Sequence, residues 1–320
     1  MEKLIIQIDS LDVLKHSEAI YVFQTWCSII GVPWHFVSKG YDGEVHIYYG
    51  RDENKKANLI IREVNNDLEI TPDQIEVFKS DGINYLNFSR MQFEGNLLEK
   101  TKEGILLMND IVVSSFYMLS GKNEKFMERD KYDRHKIEQS FLYKNELLHL
   151  PLVDEYAQLI KRVFKDSFEF IPKWPDNKKV AIALSHDTDY PQMIKAIEAA
   201  RITVSKRKLD LKTIYKIYTN QETFWKFSDW MDLEKKYNTV SAFYLCSFKG
   251  SLFRYAFIAP DTFYNIKKRR YRKIAKELVK EGFEVGLHSS FNAYKSESGF
   301  KNELNKLEHI LEVSVKGNRH

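Results

Sequence analysis

The sequence predicts an α/β protein, and three observations support this fold class. Short apolar runs bounded by turn residues indicate buried strands, and the clearest is residues 180–184. In the second half of the chain, such runs alternate with segments that have apolar residues at helical spacing. The chain has 320 residues, 43% of them hydrophobic, which is enough material for about two domains of ~150 residues.

The composition excludes several classes of protein. The net charge is +4, from 49 basic and 45 acidic residues, so no nucleic-acid partner is predicted. The two cysteines, Cys27 and Cys246, each lie among apolar residues, which favours buried thiols over disulfides or a cysteine-based zinc site. No apolar run approaches ~18 residues, so no membrane span is predicted. The N-terminus lacks a signal-peptide pattern, and a cytoplasmic location is expected.

The first domain, residues 1–170, is predicted to be mixed α/β. Residues 4–8 are predicted to form a strand, and Ser17 to cap a helix that ends at Gly31. The polar residues 121–144 are predicted to form a charged loop with local ion pairs, the alternative being a binding site. The remaining elements predicted here are strands at 45–49, 59–61, 82–88 and 104–107, and helices at 110–119 and 151–164.

The second domain, residues 171–320, is predicted to begin where two prolines and a polar turn interrupt the chain at 171–177. After that point strand and helix patterns alternate, which indicates βαβ units and a parallel sheet or barrel. The predicted strands are 180–184, 240–245, 283–287 and 313–315, and the predicted helices are 193–216, 224–237, 271–281 and 300–311.

Polar residues follow three of these predicted strands. Asp187 and Asp189 follow the first, His288 follows the third, and Arg319 lies near the end of the chain. The carboxyl ends of parallel strands meet at one edge of a sheet, so these side chains are expected to lie together. Carboxylate and imidazole suit zinc or another divalent metal. A second carboxylate can take a proton from water, and an arginine can orient that base. The alternative is a set of solvated loops.

Motifs of other enzyme classes are absent from the sequence. It contains no Gly-x-Ser-x-Gly elbow, phosphate-binding Gly-x-x-x-x-Gly-Lys loop, Gly-x-Gly-x-x-Gly turn or His-Glu-x-x-His helix. The strand-end residues therefore remain as the candidate site.

These residues resemble a known family. Trp174-Pro175 followed by residues 180–191 resembles the first motif of polysaccharide deacetylases (the NodB homology domain, carbohydrate esterase family 4), in the branch with a Ser/Thr-His-Asp-x-Asp motif. Residues 283–290 resemble the second motif, and Gly317-Asn318-Arg319-His320 resembles the start of the third. Residues 116–156 resemble the accessory domain that often precedes this branch, so the resemblance covers most of the chain.

The resemblance implies a distorted (β/α) barrel of NodB type, one divalent metal, most commonly zinc, and removal of an N-acyl group from a glycan or sugar precursor. Asp187 matches the catalytic base and Arg319 the residue that orients it. Asp189 and His288 match metal ligands, and the roles of the two aspartates are open to exchange. A carbohydrate substrate is therefore expected.

Two departures from the family pattern affect these expectations. Asn292 stands at the position of the second metal histidine, and His186 or His320 is an alternative third ligand. The family's later motifs have no counterpart, so the predicted barrel is incomplete and truncated at its C-terminus. A catalytically inactive deacetylase-like protein that binds carbohydrate or a partner is the alternative function.

Overall fold

The chain is a mixed α/β protein. The computed structural model describes residues 2–9, 13–52, 54–63, 71, 75–80, 82–88, 97–131, 133–171, 174–178, 180–221, 223–253 and 262–319. The chain divides into two compact units, Met1–Ala181 and Ile182–His320. Both units contain parallel strands connected through helices, as expected for α/β architecture.

The first unit is built on a sheet with the strand order β2-β1-β3-β4-β8-β7, together with the antiparallel pair β5-β6. Its strands are β1 (Leu4–Ile8), β2 (Trp34–Val37), β3 (Ile47–Gly50), β4 (Leu59–Arg62), β5 (Glu76–Ser80), β6 (Ile83–Asn87), β7 (Leu98–Lys100) and β8 (Ile105–Leu107). Its helices are α1 (Val13–Ile30), α2 (Ile111–Leu119), α3 (Phe141–Lys144) and α4 (Leu152–Val163).

The core of the first unit lies between its sheet and the helices α1, α2 and α4. Strand β1 pairs in parallel with both β2 and β3, and its side chains are mostly buried, as is usual for a strand inside a parallel sheet covered by helices. Trp26 of α1 is fully buried in this core, and its ring packs edge-on against Phe23. Asp110 caps α2 by accepting a hydrogen bond from Val113 N, and it also accepts one from Tyr49 Oη at 3.1 Å. This second bond ties the start of α2 to the end of β3.

Most predicted elements of the first unit are confirmed, with one clear error at the start of α1. The helix begins at Val13, and Ser17 lies inside it, where Oγ donates a hydrogen bond to the carbonyl of Val13. Serine is favoured at helix N-caps, but inside a helix its hydroxyl can bond the fourth preceding carbonyl instead. Gly31 ends α1 with φ +74°, as predicted.

The polar segment at 121–144 contains the predicted local ion pairs. Arg134 Nη2 lies 2.7 Å from Asp130 Oδ2, and Arg129 Nη1 lies 3.4 Å from Asp133 Oδ1. Such exposed pairs contribute little to stability, about 0–1 kcal/mol each.

The second unit is built on a four-stranded parallel sheet with the order β12-β11-β10-β9. Its strands are β9 (Leu184–Asp187), β10 (Ser241–Cys246), β11 (Glu284–His288) and β12 (Asn318–Arg319). Its helices are α5 (Lys195–Lys206), α6 (Leu211–Tyr218), α7 (Phe227–Lys236), α8 (Arg269–Lys280) and α9 (Glu297–Leu311).

The two faces of this second sheet differ in chemistry because side chains alternate along each strand. Phe243, Leu245, Val285 and Leu287 point to one face and are buried in a core with residues of α7, α8 and α9. The other face, called here the polar face, has Ser185 and Asp187 of β9, Tyr244 and Cys246 of β10, Gly286 and His288 of β11, and Arg319 of β12 in matching register.

Three predictions for the second unit are wrong in position. The predicted buried strand at 180–184 is an exposed segment that leads into β9, and Val180 and Ile182 are 67% and 78% exposed. Among the described residues β9 pairs with β10 alone, so it is an edge strand and its apolar approach is not covered. The predicted helix 193–216 is two helices, because Arg207 has φ +50° and Asp210 caps α6. The predicted strand 313–315 is replaced by β12.

Within the described residues, no helix is long and apolar enough to cross a membrane.

Candidate metal centre and catalytic pair

Three potential metal ligands lie together at the carboxyl edge of the second sheet. One donor atom each from Asp189, Cys246 and His288 lies within 4.8 Å of the other two. Asp189 Oδ1 lies 3.3 Å from His288 Nε2. Cys246 is only 2% exposed, whereas the other two side chains are partly open to solvent. The cluster thus has one buried end and one accessible end.

The strand register explains why these three residues meet. Cys246 is the register partner of His288 across β10 and β11, so both side chains lie on the polar face. Tyr244 is the partner of Asp187 across β10 and β9. Asp189 follows Asp187 by two residues, as Cys246 follows Tyr244, so Asp189 lies level with Cys246. The cluster is therefore a row across three neighbouring strand ends.

Three hydrogen bonds hold the backbone of this row, and two of them involve residues outside the sheet. The amide of Cys246 donates to Tyr264 Oη at 2.6 Å, and Thr262 Oγ1 donates to the carbonyl of Asp189. The amide of Thr188 donates to the carbonyl of Tyr244 at 3.0 Å, which continues the β9–β10 ladder past the end of β9. Supporting bonds of this kind hold site residues in position before a ligand arrives.

A second pair lies beside the cluster. Arg319 Nε is 3.2 Å from Asp187 Oδ1, and Arg319 Nη1 donates to Ser185 Oγ at 2.5 Å. Ser185 and Asp187 are two residues apart on β9, so the guanidinium contacts two consecutive side chains of the polar face. Arg319 comes from β12 at the opposite edge of the sheet, so its contacts join residues of the two edge strands.

The environments of the two aspartates differ. Burial raises the pKa of Asp189 above its usual value, the charge of nearby Asp187 raises it further, and the contact with His288 acts in the opposite direction. Asp189 thus faces an imidazole and a thiol, whereas Asp187 faces a guanidinium. The two carboxylates therefore have neighbours of different chemistry.

His186, considered as an alternative third ligand, has a different environment. Its Nε2 lies 2.5 Å from Glu234 Oε1 on α7, and its ring packs 4.6 Å from the rings of both Trp230 and Phe243. Its side chain points to the helix-covered face, since it alternates with Ser185 and Asp187 along β9. His186 is therefore a packed residue that ties β9 to α7.

The structure describes one of the other two candidates for a third ligand, Asn292, but not His320. Asn292 immediately precedes the single turn Ala293–Lys295, and its carbonyl accepts a hydrogen bond from the amide of Lys295 at 3.1 Å. Its role as a ligand remains a prediction. His320 lies outside the described residues.

The prediction that Cys246 is a buried free thiol is confirmed, but its position beside Asp189 and His288 was not predicted. The apolar neighbours of Cys246 in the sequence favoured a core position, and two isolated cysteines do not form a cysteine-based zinc motif. The available indication was its position at the end of the predicted strand between the two polar strand ends. A single thiol can join a mixed ligand set that the spacing of cysteines alone does not reveal.

A pocket of ≈ 460 Å³ opens beside the two aspartates. It combines the polar end of β9 with aromatic side chains near and on α7. Phe224 is 40% exposed and Trp230 is 44% exposed, so both present ring surface to solvent. The pocket is lined by Ser185, His186, Asp187, Thr188, Asp189, Tyr190, Pro191, Phe224, Lys226, Phe227, Trp230 and Phe243.

The fold and site together define an α/β protein with a mixed carboxylate, thiol and imidazole cluster at the carboxyl edge of a parallel sheet. In a comparison with family profiles, residues 12–169, which make up most of the first unit, match a family of unknown function (DUF7033). Searches of curated proteins and of solved structures found no match to the chain.

Proposed function

We propose that the protein is a metal-dependent hydrolase that removes an N-acyl group, most simply acetyl, from a glycan or sugar precursor. The proposal rests mainly on one observation, the Asp187–Arg319 ion pair beside the Asp189–His288 contact. The motif resemblance to polysaccharide deacetylases supports the same chemistry. It also supports a NodB-type barrel for the second domain and an accessory role for the first.

The donors present fit a divalent metal of zinc type. Zinc bonds carboxylate oxygen at about 2.0–2.2 Å and imidazole nitrogen at about 2.0–2.1 Å. Two such ligands at a tetrahedral angle are about 3.4 Å apart, close to the 3.3 Å between Asp189 Oδ1 and His288 Nε2. A bound metal would lower the pKa of a water molecule and polarise the acyl carbonyl.

In this mechanism Asp187 accepts the proton of the water that attacks the acyl carbon, because it is the carboxylate not engaged with the imidazole. Asp187 then returns this proton to the amide nitrogen as the C–N bond breaks, which releases the amine and the carboxylic acid. Arg319 orients Asp187 through the 3.2 Å contact at Oδ1 and leaves the other carboxylate oxygen available to the water. The same guanidinium supplies positive charge where the tetrahedral intermediate becomes anionic. Ser185 fixes the guanidinium from its other side.

The pocket beside the aspartates supports a carbohydrate substrate. Phe224 and Trp230 present exposed rings next to Asp187 and Asp189. Sugar rings have apolar C–H faces that pack on aromatic rings, while their hydroxyls bond polar groups. The pocket can thus hold a sugar residue with its N-acyl group directed to the carboxylates.

Release of acetate from N-acetylated oligosaccharides tests this function. The protein with added zinc is expected to release acetate, and Asp187→Asn is expected to abolish most of that release while it still binds zinc. No release by the wild-type protein, or equal release by the variant, would contradict the proposal. Binding of the oligosaccharide without turnover would instead support the inactive carbohydrate-binding alternative.

A further inference from the structure

We propose that the Cys246 thiolate is the third protein ligand of the metal held by Asp189 and His288. This inference rests on the proposed metal site and adds a ligand that the resemblance does not supply. The family pattern implies a second histidine, and Asn292 stands at its position in this sequence. The structure provides a different donor from a different strand.

The position of Cys246 in the sheet is the first argument. Strand β10 lies between β9 and β11, so its last residue lies between the other two ligands. The register pairs Cys246 with His288, and the donor atoms of all three residues lie within 4.8 Å of one another. Catalytic zinc sites commonly use three protein ligands and keep a fourth position open. This row supplies three.

The distances are compatible with coordination after a small adjustment. With zinc bonded to sulfur at about 2.3 Å and to nitrogen at about 2.0–2.1 Å, a tetrahedral site places the two atoms about 3.6 Å apart. The upper limit of 4.8 Å in the structure exceeds this by roughly 1 Å, which a side-chain rotation can supply. The backbone amide of Cys246 is held by its hydrogen bond to Tyr264 Oη, so the adjustment is expected in the side chain alone.

Cys27 shows what an ordinary buried cysteine in this protein is like. It lies in the core of the first unit, and desolvation by burial raises the pKa of its thiol to about 12. Among the described residues it belongs to no group of potential metal ligands. Cys246 is equally buried and also belongs to the core of its own unit, but it has a carboxylate and an imidazole beside it. This contrast argues for a ligand role and makes Cys27 a matched control.

A thiolate in the ligand set has consequences for metal choice. Soft sulfur ligands favour zinc over magnesium or manganese, which prefer oxygen. The carboxylate of Asp189 and the thiolate of Cys246 together balance the two positive charges of the metal. The site is therefore expected to bind zinc and cobalt and to discriminate against magnesium and manganese.

Absorption spectroscopy with Co²⁺ tests the inference directly. Thiolate-to-cobalt charge transfer gives a near-ultraviolet band that oxygen and nitrogen ligands do not give. The 320-residue protein, stripped with a chelator and titrated with Co²⁺, is expected to show this band. Cys246→Ser is nearly isosteric and keeps the hydrogen bond from the backbone amide to Tyr264 Oη. This variant is expected to lose the charge-transfer band and to bind zinc at least ten-fold more weakly. Cys27→Ser is expected to keep both the band and the affinity.

The outcomes separate this inference from the proposed function. Metal binding that depends on Asp189 and His288 but shows no band would overturn the role of Cys246 and leave the hydrolase proposal standing. A protein that binds neither Co²⁺ nor zinc would overturn both. A band that depends on Cys246 supports the thiolate ligand whether or not acetate is released.

Discussion

Arg319 Nε lies 3.2 Å from Asp187 Oδ1, and this contact joins the last strand of the second sheet to its first. Asp189, only two residues from Asp187, instead contacts His288 at 3.3 Å. Two carboxylates on one strand end thus have partners of different chemistry. In the function proposed above, Asp189 holds the metal and Asp187 accepts the proton of the attacking water.

Substitution of each aspartate tests this division. Asp187→Asn is expected to lower kcat by about 10²–10⁴-fold, the usual contribution of a general base, with zinc binding unchanged. Asp189→Asn is expected to weaken zinc binding as well as activity, because it removes an anionic ligand. Acetate-release kinetics and calorimetric zinc titration of both variants provide the measurement. If Asp187→Asn weakened zinc binding and Asp189→Asn lowered only kcat, then Asp187 would be the metal ligand and Asp189 the base.

Metal removal is expected to lower the thermal stability of the protein. A metal that binds only the folded state at 100 times its Kd stabilises that state by about 2.7 kcal/mol. Thermal unfolding with and without zinc, followed by circular dichroism, measures the shift. Asp189→Ala is expected to unfold at the same temperature in both conditions. If zinc raised the unfolding temperature of Asp189→Ala as much as that of the wild-type protein, Asp189 would be excluded as a ligand.

His186 and Glu234 provide a test of the helix-covered face. His186→Phe keeps a ring between Trp230 and Phe243 but leaves the buried Glu234 carboxylate without this partner. Leaving a buried polar group unpaired costs about 1–3 kcal/mol of unfolding free energy. Urea unfolding is expected to show this loss, while zinc affinity stays at the wild-type value. A large loss of zinc affinity would restore His186 as a candidate ligand.

Gly286 is required because of Tyr244. A Cβ at Gly286 would lie 2.4 Å from Cδ1 of the Tyr244 ring, which covers this part of the polar face. Gly286→Ala is therefore expected to displace the ring and to cost about 1–3 kcal/mol, as overpacking does. Gly299→Ala in α9 is the control, since its Cβ would meet only Ser296 atoms at 3.4 Å. Equal stability of the two variants in urea unfolding would argue against the steric explanation.

Trp230 is expected to contribute to substrate binding rather than to chemistry. Trp230→Ala removes an exposed ring from the pocket and is expected to raise KM with little change in zinc affinity. Tyr237→Ala is the control, because Tyr237 directly follows the same helix, is also exposed and does not line the pocket. Equal KM values for the two variants would argue against packing of a sugar ring on Trp230.

The sequence predicted much of the fold from local patterns. The strand at Leu4–Ile8 and the helix that follows Asp110 were both found, because periodicity and capping depend on neighbouring residues. The start of α1 was misplaced because Ser17 can bond within a helix as well as cap one. Residues 180–184 were predicted to be buried because they are apolar. The prediction was wrong because apolar composition does not reveal whether a neighbouring strand covers the segment.

For the candidate site, the sequence by itself determined which polar residues end the strands. Asp187, Asp189 and His288 stand out because each follows an apolar run. Only the tertiary structure decided the partners: Arg319 for Asp187, His288 for Asp189, and Cys246 as an additional donor. The physical reason is that register and strand order are set by long-range pairing. Sequence reports how residues follow one another along a strand, but not which residues lie level on adjacent strands.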